Sequence, residues 1–374
     1  MNENYVTLGQ VCAKGSSNIA QKDLAEREGQ YPIYGAAGLI KNVDFAHQKQ
    51  PYIAVVKDGA GIGRVMKLPA YSSVIGTMQY IFPKENVDID YLFYALQHMN
   101  LGKYFSGSTI PHIYFRDYQK ERLKLPVMKV QQRQADTLSR IDALSAYGQR
   151  QIALMDEIVK SRFVEMFEKG EFERIPFDSF CEFLRNGASI KQTKGAGGYP
   201  ITRIETLAND TFNIDRLGYA NITELKGVEK YILQKGDILI SHINSVAYLG
   251  RAVQYRGESN TPIIHGMNLL CARLRNDCNS TYVEYFFKTP MAKDYISTIT
   301  KKAVNQASIT TTDLKKMPIP DPPLELQNRF SAFVAEVDKS KFRIQKSLST
   351  SRKLWTLARI DAIMNMDFST QRSL

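Results

Sequence analysis

A long internal repeat is the feature that most constrains what this 374-residue chain can fold into. The apolar frame of the repeat matches, since Ile113 corresponds to Ile309 and Leu138 corresponds to Val334. The period far exceeds the roughly 20 to 50 residues of a solenoid repeat. The chain is therefore predicted to contain two copies of one domain-sized unit. Five residues recur 196 positions later: Asp117, Pro126, Gln131, Arg133 and Asp142 return as Asp313, Pro322, Gln327, Arg329 and Asp338.

Basic residues are spread through both copies of the repeat. Lys and Arg number 49 against 38 Asp and Glu, which gives a formal net charge of +11 and an isoelectric point near 9.3. A surface of this kind favours a polyanion, and nucleic acid is the first candidate. A scaffold for acidic proteins, or a basic protein unrelated to nucleic acid, stays open on charge alone. The hydrophobic content of 44% is enough for a core in each of two or three domains.

The sequence does not predict a secreted protein, a membrane protein or a protein stabilised by a structural metal. Residues 1–10 are polar, and no stretch reaches the roughly 18 apolar residues that a membrane span needs. The four cysteines form no CxxC pair and have no nearby histidine cluster, so neither a disulfide framework nor a structural zinc site is predicted. A cytoplasmic globular protein is the expectation. The cysteines are Cys12, Cys181, Cys271 and Cys278.

The similarity continues upstream of the anchored segment, but the spacing drifts. Offsets that fall to 168 and 169 positions and rise again to 187 mean that the two copies carry insertions of different length. A constant frame with divergent interior loops is typical of a scaffold that presents variable binding groups. The matched pairs are Val11-Cys12 with Phe180-Cys181, Tyr31-Pro32-Ile33 with Tyr199-Pro200-Ile201, and Gly63-Arg64 with Gly250-Arg251.

Each copy reads as a mixed α/β domain. Short apolar runs between Gly, Pro and Ser turns predict three strands per copy, and a helix follows over 91–99 and over 282–295. The predicted strands are 52–56, 64–68 and 79–82 in the first copy, and 237–240, 251–255 and 269–274 in the second.

A long amphipathic helix is predicted after each domain, because apolar or small residues recur three and four apart without proline. Each helix exceeds 30 residues and would reach roughly 55 Å at about 1.5 Å per residue. The helices either pack on their own domains or pair with each other, antiparallel, with polar positions fixing the register. The first seam is Leu138, Ile141, Ser145, Gly148, Ile152, Met155, Val159, Arg162 and Met166; the second is Phe330, Val334, Val337, Lys341, Ile344, Leu348, Ser351, Trp355, Ala358 and Ala362.

The order of domain, helix, divergent domain and helix resembles the specificity (S, or HsdS) subunit of Type I restriction-modification systems. Residues 107–113, which read Gly-Ser-Thr-Ile-Pro-His-Ile and lead to Gln131, look like the run that closes a target recognition domain of that family. Residues 309–313 and 319–323, followed by Gln327, repeat the pattern, and residues 154–163 are similar to the family's first conserved region. The resemblance covers essentially the whole chain. The second copy departs from it where residues 302–308 replace the Gly-Ser-Thr-Ile-Pro-His run.

The resemblance implies an architecture of two tandem α/β (α+β) target recognition domains, separated by two long helices that form an antiparallel coiled coil. The implied divisions are target recognition domain 1 (1–128), a central conserved helix (129–169), target recognition domain 2 (170–323), a C-terminal conserved helix (324–366) and a tail (367–374).

The resemblance also implies a function. Each target recognition domain reads one half of an asymmetric, bipartite site in double-stranded DNA, while the helices set the spacing and dock two methyltransferase (M) subunits. Restriction (R) subunits join the full complex. The chain itself is expected to catalyse nothing and to hold neither cofactor nor metal. S-adenosylmethionine is expected on the M subunit, and ATP and Mg²⁺ on the R subunit, in a prokaryotic cytoplasm without membrane contact.

Two motifs favour other functions. Asp321-Pro322-Pro323 is similar to the Asp-Pro-Pro-aromatic motif with which amino-methyltransferases hold a flipped base, but Leu324 cannot stack and no glycine-rich strand–turn–helix precedes it. Prolines there predict a helix start. A DNA-modifying methyltransferase, or a specificity module of a related non-Type-I system, remains the alternative. The glycine-rich residues 58–64 lack the Lys-Ser/Thr ending of a phosphate loop and predict a tight turn instead.

Polar groups near turns of the divergent interiors are the candidate DNA contacts. Lysines there are expected to meet phosphates, while Arg, Asn and Gln can read bases. For any one of them a solvated loop side chain is an equal expectation, so the set carries the prediction. The candidates are Lys57, Arg64, Lys67, Ser108, Thr109 and His112 in the first copy, and Arg203, His242, Asn244, Arg251, Lys301, Lys302, Asn305 and Gln306 in the second.

Overall fold

The computed structural model describes residues 5–107, 110–193, 197–303 and 306–363. The chain divides into two compact units. The first unit comprises Met1–Arg150 and Ile344–Leu374, and the second comprises Gln151–Arg343. Each unit therefore holds one globular copy of the repeat together with a stretch of both long helices.

The first unit is built around a four-stranded antiparallel sheet in the order β2-β8-β5-β6, with a smaller sheet β4-β3-β7 beside it. Helix α2 begins after Asp88, whose carboxylate accepts a hydrogen bond from the Tyr91 backbone N–H at 2.9 Å. The elements are β1 Tyr5–Thr7, α1 Leu8–Val11, β2 Cys12–Ser16, β3 Tyr31–Gly35, β4 Gly38–Val43, β5 Tyr52–Val56, β6 Val65–Leu68, β7 Ser73–Val74, β8 Met78–Pro83, α2 Ile89–His98, α3 Phe115–Tyr118 and β9 Arg122–Lys124, with 3₁₀ turns at Gln21–Leu24 and Leu101–Tyr104.

The chain continues through helix α4, Met128–Phe163, and a π-helical turn, Val164–Glu168, into the second unit. Its elements are β10 Arg174–Pro176, β11 Cys181–Asn186, β12 Gln192–Thr193, β13 Tyr199–Ile201, β14 Gly218–Ala220, β15 Ile238–Ser241, β16 Ile243–Asn244, β17 Ala252–Gln254, β18 Leu269–Leu274, α5 Ser280–Phe286, α6 Pro290–Ile299, β19 Lys301–Lys302, β20 Ala307–Ser308, α7 Thr311–Lys315, β21 Pro318–Pro320 and α8 Leu324–Ile363. Its 3₁₀ turns are Phe177–Phe180, Ile204–Asp210, Ile214–Arg216, Glu229–Tyr231 and Val246–Tyr248.

The predicted repeat is confirmed by the sheets. The strand order β11-β18-β15-β17 in the second unit reproduces β2-β8-β5-β6 in the first. Individual contacts recur as well: the Cys12 thiol donates to the Leu8 carbonyl at 3.2 Å, and the Cys181 thiol donates to the Phe177 carbonyl at 3.3 Å. The second sheet thus repeats the strand order of the first, although the pairing of β11 with β18 has a register shift between Cys181 and Phe183 that the pairing of β2 with β8 lacks.

The predicted turn at the repeated glycine is also present in both units. Gly63 has a φ of +81° and Gly250 a φ of +71°, a conformation that favours glycine. The Gly63 N–H donates to the Val56 carbonyl at 2.9 Å, and the Gly250 N–H donates to the Ser241 carbonyl at 2.8 Å. Residues 58–64 therefore form a tight turn between β5 and β6.

One predicted helix is wrong as a single element. The expected helix over 282–295 is broken into α5 and α6. Thr289 caps the second piece, because its hydroxyl accepts from the Ala292 N–H at 3.2 Å. Pro290 occupies the first turn, where a missing N–H costs nothing, but it would interrupt a continuous helix.

The two long helices contact each other in antiparallel order within each unit. In the first unit Gly148 lies against Leu348, and Trp355 packs on the core that contains Leu138. In the second unit the Phe163 and Phe330 rings are 5.3 Å apart. Later residues of α4 thus face earlier residues of α8, so the prediction of paired helices is confirmed.

The burial pattern follows the predicted seams. All nine seam residues of α4 and its π turn are buried or half-buried, and so are the seam residues of α8 from Phe330 to Trp355. Ala358 and Ala362 lie outside the part of α8 whose side chains the structure describes. Lys341 is a polar seam residue, and its Nζ lies 2.5 Å from Asp156 Oδ1 and 3.6 Å from Asp338 Oδ1. A salt bridge at a seam position can fix the register of paired helices.

Candidate DNA interface

The segments that carry most of the candidate residues form one backbone arrangement in both units. In the first unit Asp58 and Ser106 each pair with His112 as antiparallel β-bridges. In the second unit Ile243 and Lys301 pair in the same way with Ser308. We call this arrangement the edge frame: residues 57–58, 106–107 and 110–113 in the first unit, and 242–244, 301–303 and 306–309 in the second.

The same hydrogen bond closes the edge frame in each unit. The Ile113 N–H donates to the Lys57 carbonyl at 2.9 Å, and the Ile309 N–H donates to the His242 carbonyl, also at 2.9 Å. The segment that pairs back on itself runs from Ser106 to His112 in the first unit and from Lys301 to Ser308 in the second, one residue longer. The backbone is therefore shared, although the sequences 106–112 and 301–308 have almost nothing in common.

The side chains on the edge frame differ between the units. The positions taken by Asp58, Ser106 and His112 in the first are taken by Ile243, Lys301 and Ser308 in the second. Lys302 and Gln306 lie on the hairpin of the second edge frame, where the Ala303 N–H donates to the Gln306 carbonyl at 2.8 Å. Two domains that recognise different DNA sequences require a shared backbone arrangement that carries different functional groups. Ser108, Thr109 and Asn305 lie outside the described residues.

A connected set of polar and aromatic groups occupies the first edge frame. The His112 Nδ1 lies 2.6 Å from Asp58 Oδ1, and Lys57 Nζ lies 3.8 Å from Asp58 Oδ2. The His112 ring is stacked on Tyr114, with centroids 6.4 Å apart and an interplanar angle of 22°. The Arg116 guanidinium lies 4.8 Å from the Tyr114 centroid on the other end of the set. Lys57 and His112 are thereby brought together, as part of a larger group.

The repeated arginines, Arg64 and Arg251, each hold a distant interior segment of their own domain in place. Arg64 Nη1 donates to the Ala36 carbonyl at 2.6 Å, and Arg251 Nη1 donates to the Leu207 carbonyl at 2.8 Å. Arg251 also forms an ion pair with Asp210 at 2.7 Å. Each guanidinium thus holds a segment that comes from more than 25 residues away. Their predicted DNA contact stays a prediction, now beside an observed structural role.

Lys67 points away from the edge frame. It lies on β6 and forms a salt bridge with Asp90 of helix α2. The neighbouring strand residue Ile53, paired with Lys67, belongs to the core on the helix side of the sheet. The structure therefore does not bring Lys67 together with Lys57 and His112.

A cavity of about 380 Å³ collects several polar groups in the second unit. Asn244 and Arg251 line it together with Arg216 and Tyr248, and the Arg251 guanidinium lies 4.8 Å from the Tyr248 ring centroid. Glu205 also lines the cavity. The Nε of Arg203 lies 3.4 Å from the Glu205 carboxylate, so Arg203 is next to the cavity.

His242 lies inside the second domain, not at its surface. It is 6% exposed, and burial lowers the pKa of its imidazole. It occupies the backbone position of Lys57 in the first unit, yet its side chain is directed inward. Sequence reasoning placed His242 near a turn and missed this burial, because the side chain at the equivalent position of the first unit, Lys57, is 29% exposed and the repeat does not show how far each side chain is buried.

Several groups at the site were missed by the sequence analysis. Asp58, Tyr114 and Arg116 belong to the set around His112, and Tyr248 and Arg216 line the cavity beside Arg251. The sequence offered a signal for Asp58, Tyr114, Arg116 and Tyr248, since each lies within four residues of a predicted DNA-contact residue. Arg216 had none, because only the fold brings it to Arg251.

A second surface of the molecule lies on the long helices and exposes large apolar side chains among polar ones. In the second unit Leu154 and Ile158 of α4 are 47% and 52% exposed. Together with Phe333 of α8 they line a groove of about 540 Å³, which the polar residues Glu157, Ser161, Arg162 and Glu165 also line. In the first unit α4 exposes Leu144 and Tyr147. Large apolar side chains left exposed on a helix are typical of protein-contact surfaces.

The Asp-Pro-Pro motif is part of a helix start. The Asp321 N–H donates to the Glu173 carbonyl at 2.8 Å, and the Pro322 carbonyl accepts from Gln327 Nε2 at 2.9 Å. Helix α8 begins directly after the motif, at Leu324. The motif is thus used for structure. In the described part of the chain, no group of three or more His, Cys, Asp or Glu side chains is placed to hold a metal ion, and no helix has the length and apolar character of a membrane span.

Known proteins are similar to this chain in sequence and in fold. A putative Type I restriction enzyme MjaX specificity subunit from Methanocaldococcus jannaschii is 38% identical over 197 residues, covering 50% of this chain and 46% of that protein. The Type I restriction enzyme EcoKI specificity subunit from Escherichia coli is 25% identical over 188 residues, covering 49% and 40%. The chain thus spans less than half the length of the curated relatives it matches.

Two solved structures match over nearly the full length. The S subunit of a Type I restriction-modification system from M. genitalium gives a TM-score of 0.62 at 15% identity, covering 98% of this chain and 97% of that one. A structure described as showing complex assembly and conformational transition of the Type I R-M system gives 0.58 at 14% identity, covering 97% and 98%. These matches support the fold. The sequence model described as the Type I restriction modification DNA specificity domain matches residues 2–154 and 169–351. Because these two segments make up most of the chain, the protein belongs to the family of Type I restriction-modification DNA specificity domains.

Proposed function

We propose that this chain is the DNA sequence-specificity subunit of a Type I restriction-modification complex, in which each target recognition domain reads one half of a bipartite site in double-stranded DNA. The observation that carries the proposal is the edge frame, which repeats the same backbone hydrogen bonds with different side chains. A palindromic site mirrors identical readers. Two different sets of side chains therefore favour an asymmetric site, and the net charge of +11 supplies attraction to the phosphates.

The paired helices have a separate role in this proposal. They set the spacing of the two half-sites and dock two methyltransferase (M) subunits. The exposed Leu154 and Ile158, with the groove that they form beside Phe333, support a protein-docking role for α4 and α8. Restriction (R) subunits complete the assembly.

Chemistry lies on the partner subunits in this proposal. The M subunits bind S-adenosylmethionine, and the R subunits bind ATP and Mg²⁺. The chain contributes recognition and assembly and no catalytic group. The complex acts in the cytoplasm of a prokaryotic cell, where the DNA is.

Mapping of DNA methylation tests this function directly. The chain is produced together with its M subunit in a host without other methyltransferases, and the modified positions are sequenced. We expect a motif of two different specified halves around an unspecified spacer. A continuous motif or a palindrome would contradict the proposal, and binding of S-adenosylmethionine by the purified chain alone would favour a methyltransferase.

An exchange of domains tests whether the halves are read independently. Residues 1–128 are replaced by the corresponding domain of another family member that recognises a different site. One half of the methylated motif should change while the other half and the spacer stay as they were. Simultaneous change of both halves would show that the two domains do not read separately.

A further inference from the structure

The backbone of His112 is held more firmly than that of an ordinary loop residue. Its N–H donates to the Ser106 carbonyl at 2.8 Å, and its carbonyl accepts from the Ser106 N–H at 2.9 Å. On either side, the Pro111 carbonyl accepts from the Gly59 N–H and the Ile113 N–H donates to the Lys57 carbonyl, each at 2.9 Å. The residue is therefore fixed to the end of strand β5 from both directions.

The imidazole of His112 is fixed as well, although it is exposed. A carboxylate only accepts hydrogen bonds, so Asp58 Oδ1, at 2.6 Å, requires Nδ1 of His112 to carry the proton. Stacking on Tyr114 sets the plane of the ring. The side chain remains 37% exposed, and among the described residues the hydrogen bond observed for the ring is the one at Nδ1. One ring nitrogen is used for orientation and the other is left for a ligand.

The chemistry of that free nitrogen follows from the proton on Nδ1. In the neutral ring, Nε2 then carries a lone pair and accepts a hydrogen bond. The major groove of DNA offers two base donors, the N6 amino group of adenine and the N4 amino group of cytosine. We propose that Asp58 holds His112 as a hydrogen-bond acceptor that reads the exocyclic amino group of one base in the half-site of the first domain. This inference rests on the proposed function, and Asp58 acts in it as a positioning residue.

The equivalent described positions of the second edge frame carry a different pair of residues. At the equivalent positions Ile243 faces Ser308, so no carboxylate orients the group that replaces His112. A serine hydroxyl both donates and accepts and rotates freely. The amino-group reading is therefore confined to one half of the site, in keeping with the asymmetry of the edge frames. The competing explanation is that the pair of Asp58 and His112 only fastens residues 106–112 to the domain.

Base analogues in the known half-site distinguish these explanations. The complex of the full chain with its M subunits is measured for binding to duplexes in which each adenine of the first domain's half-site is replaced by purine, which lacks the 6-amino group. A second series replaces each cytosine by 2-pyrimidinone, which lacks the 4-amino group. One position should weaken binding at least fivefold, the lower limit of about 1 kcal/mol for a base contact. The series in which it occurs identifies the base.

Variants then assign that loss to the pair. His112→Ala should bind the natural site more weakly and should no longer respond to removal of that one amino group, while its response at other positions is kept. Asp58→Asn can donate to Nδ1 and release the ring from its single tautomer, so the discrimination at the same base should fall. Asp44→Asn, which changes an exposed carboxylate paired with Arg27 in the same unit, should leave it intact.

The outcomes separate this inference from the function on which it rests. Uniform weakening on all sequences by His112→Ala, with a smaller salt dependence, would mean a phosphate contact and would overturn it. Unchanged discrimination in both variants would also overturn it and leave a fastening role, which a lowered Tm of the two variants would then reveal. If the unmodified complex binds no bipartite site, it is the proposed function that fails.

Discussion

The buried side-chain carbonyl of Gln131 accepts a hydrogen bond from the backbone N–H of Asp88, 2.8 Å away. The Nε2 of the same side chain donates to the carbonyls of Pro126 and Asn86. One glutamine thus joins the start of helix α4, the chain that enters it and the start of helix α2. Gln327 repeats this 196 positions later, since its Oε1 accepts from the Asn279 N–H at 2.9 Å.

Loss of this glutamine should destabilise its unit. Gln131 is 0% exposed, and Gln131→Leu leaves the half-buried Asp88 N–H and Pro126 carbonyl without this partner, at about 1–2 kcal/mol for each group. We expect the free energy of unfolding of the first unit to fall by about 3 kcal/mol, measured by urea denaturation with hydrogen exchange to assign the unit. Gln132→Leu changes the exposed neighbour and should stay within about 0.5 kcal/mol of the wild type. Equal effects of the two substitutions would contradict this account.

The frame of the fold could be predicted from the sequence because specific side chains hold it. Gln131 and Gln327 bond to backbone groups that few other residues could satisfy, so the repeat stays in register there. The seams of α4 and α8 were predictable for a related reason, since burial along a helix has a fixed period. The three-stranded sheet β12-β14-β13 was not predicted, because its strands are two or three residues long and show no alternation.

The contacts between side chains at the candidate site could not be predicted from the sequence, for a different reason. Arg64 bonds to Ala36, and Arg251 bonds to Leu207, and neither spacing follows a helix or strand period. Which polar groups meet depends on how the interior segments fold back on the frame. The candidate list includes residues of the edge frame, and their contact with DNA stays a prediction; it could not foresee that His112 is oriented by Asp58.

The turn between β5 and β6 should accept alanine at one glycine and reject it at another. Gly63 has a positive φ, and a Cβ there would lie 2.4 Å from the Gly102 backbone nitrogen. Gly61 has no such conformation, and its nearest neighbours would be 3.7 Å away. Gly63→Ala is expected to lower the free energy of unfolding by about 2 kcal/mol or more, because both strain and overlap add. Gly61→Ala should be tolerated in the same denaturation experiment, and comparable losses would refute the role of the turn.

The polar seam position of α8 should be sensitive to the sign of its charge. Lys341 is 13% exposed and lies between the carboxylates of Asp156 and Asp338. Lys341→Asp places a third carboxylate there and should destabilise the second unit by about 1–3 kcal/mol, less at high salt. Lys341→Met should be close to neutral, since an apolar residue fits the seam. Lys339→Asp is the control: Lys339 is 65% exposed and pairs with Glu336, so its loss is expected to remain below about 1 kcal/mol in urea unfolding.

Acid should destabilise the second unit through a buried histidine. His265 is 2% exposed, its Nε2 lies 2.8 Å from the Leu269 carbonyl, and burial lowers the pKa of the ring from 6.5 to about 4. The unfolded chain therefore binds a proton between these two pH values while the folded chain does not. Stability is complete above pH 6.5 and falls, on the order of 3 kcal/mol, as the pH approaches 4.

A comparison of pH profiles isolates that histidine from the carboxylates, which titrate in the same range. His265→Gln keeps an N–H donor for the Leu269 carbonyl but does not titrate, so its free energy of unfolding should decline less steeply between pH 6.5 and 4. The exposed His47 in the first unit provides the control, since His47→Gln should leave the profile of the second unit unchanged. His242 is buried with its pKa shifted in the same direction, so some of the acid sensitivity should persist in His265→Gln. A profile identical to that of the wild type would exclude His265 as a source of the acid sensitivity.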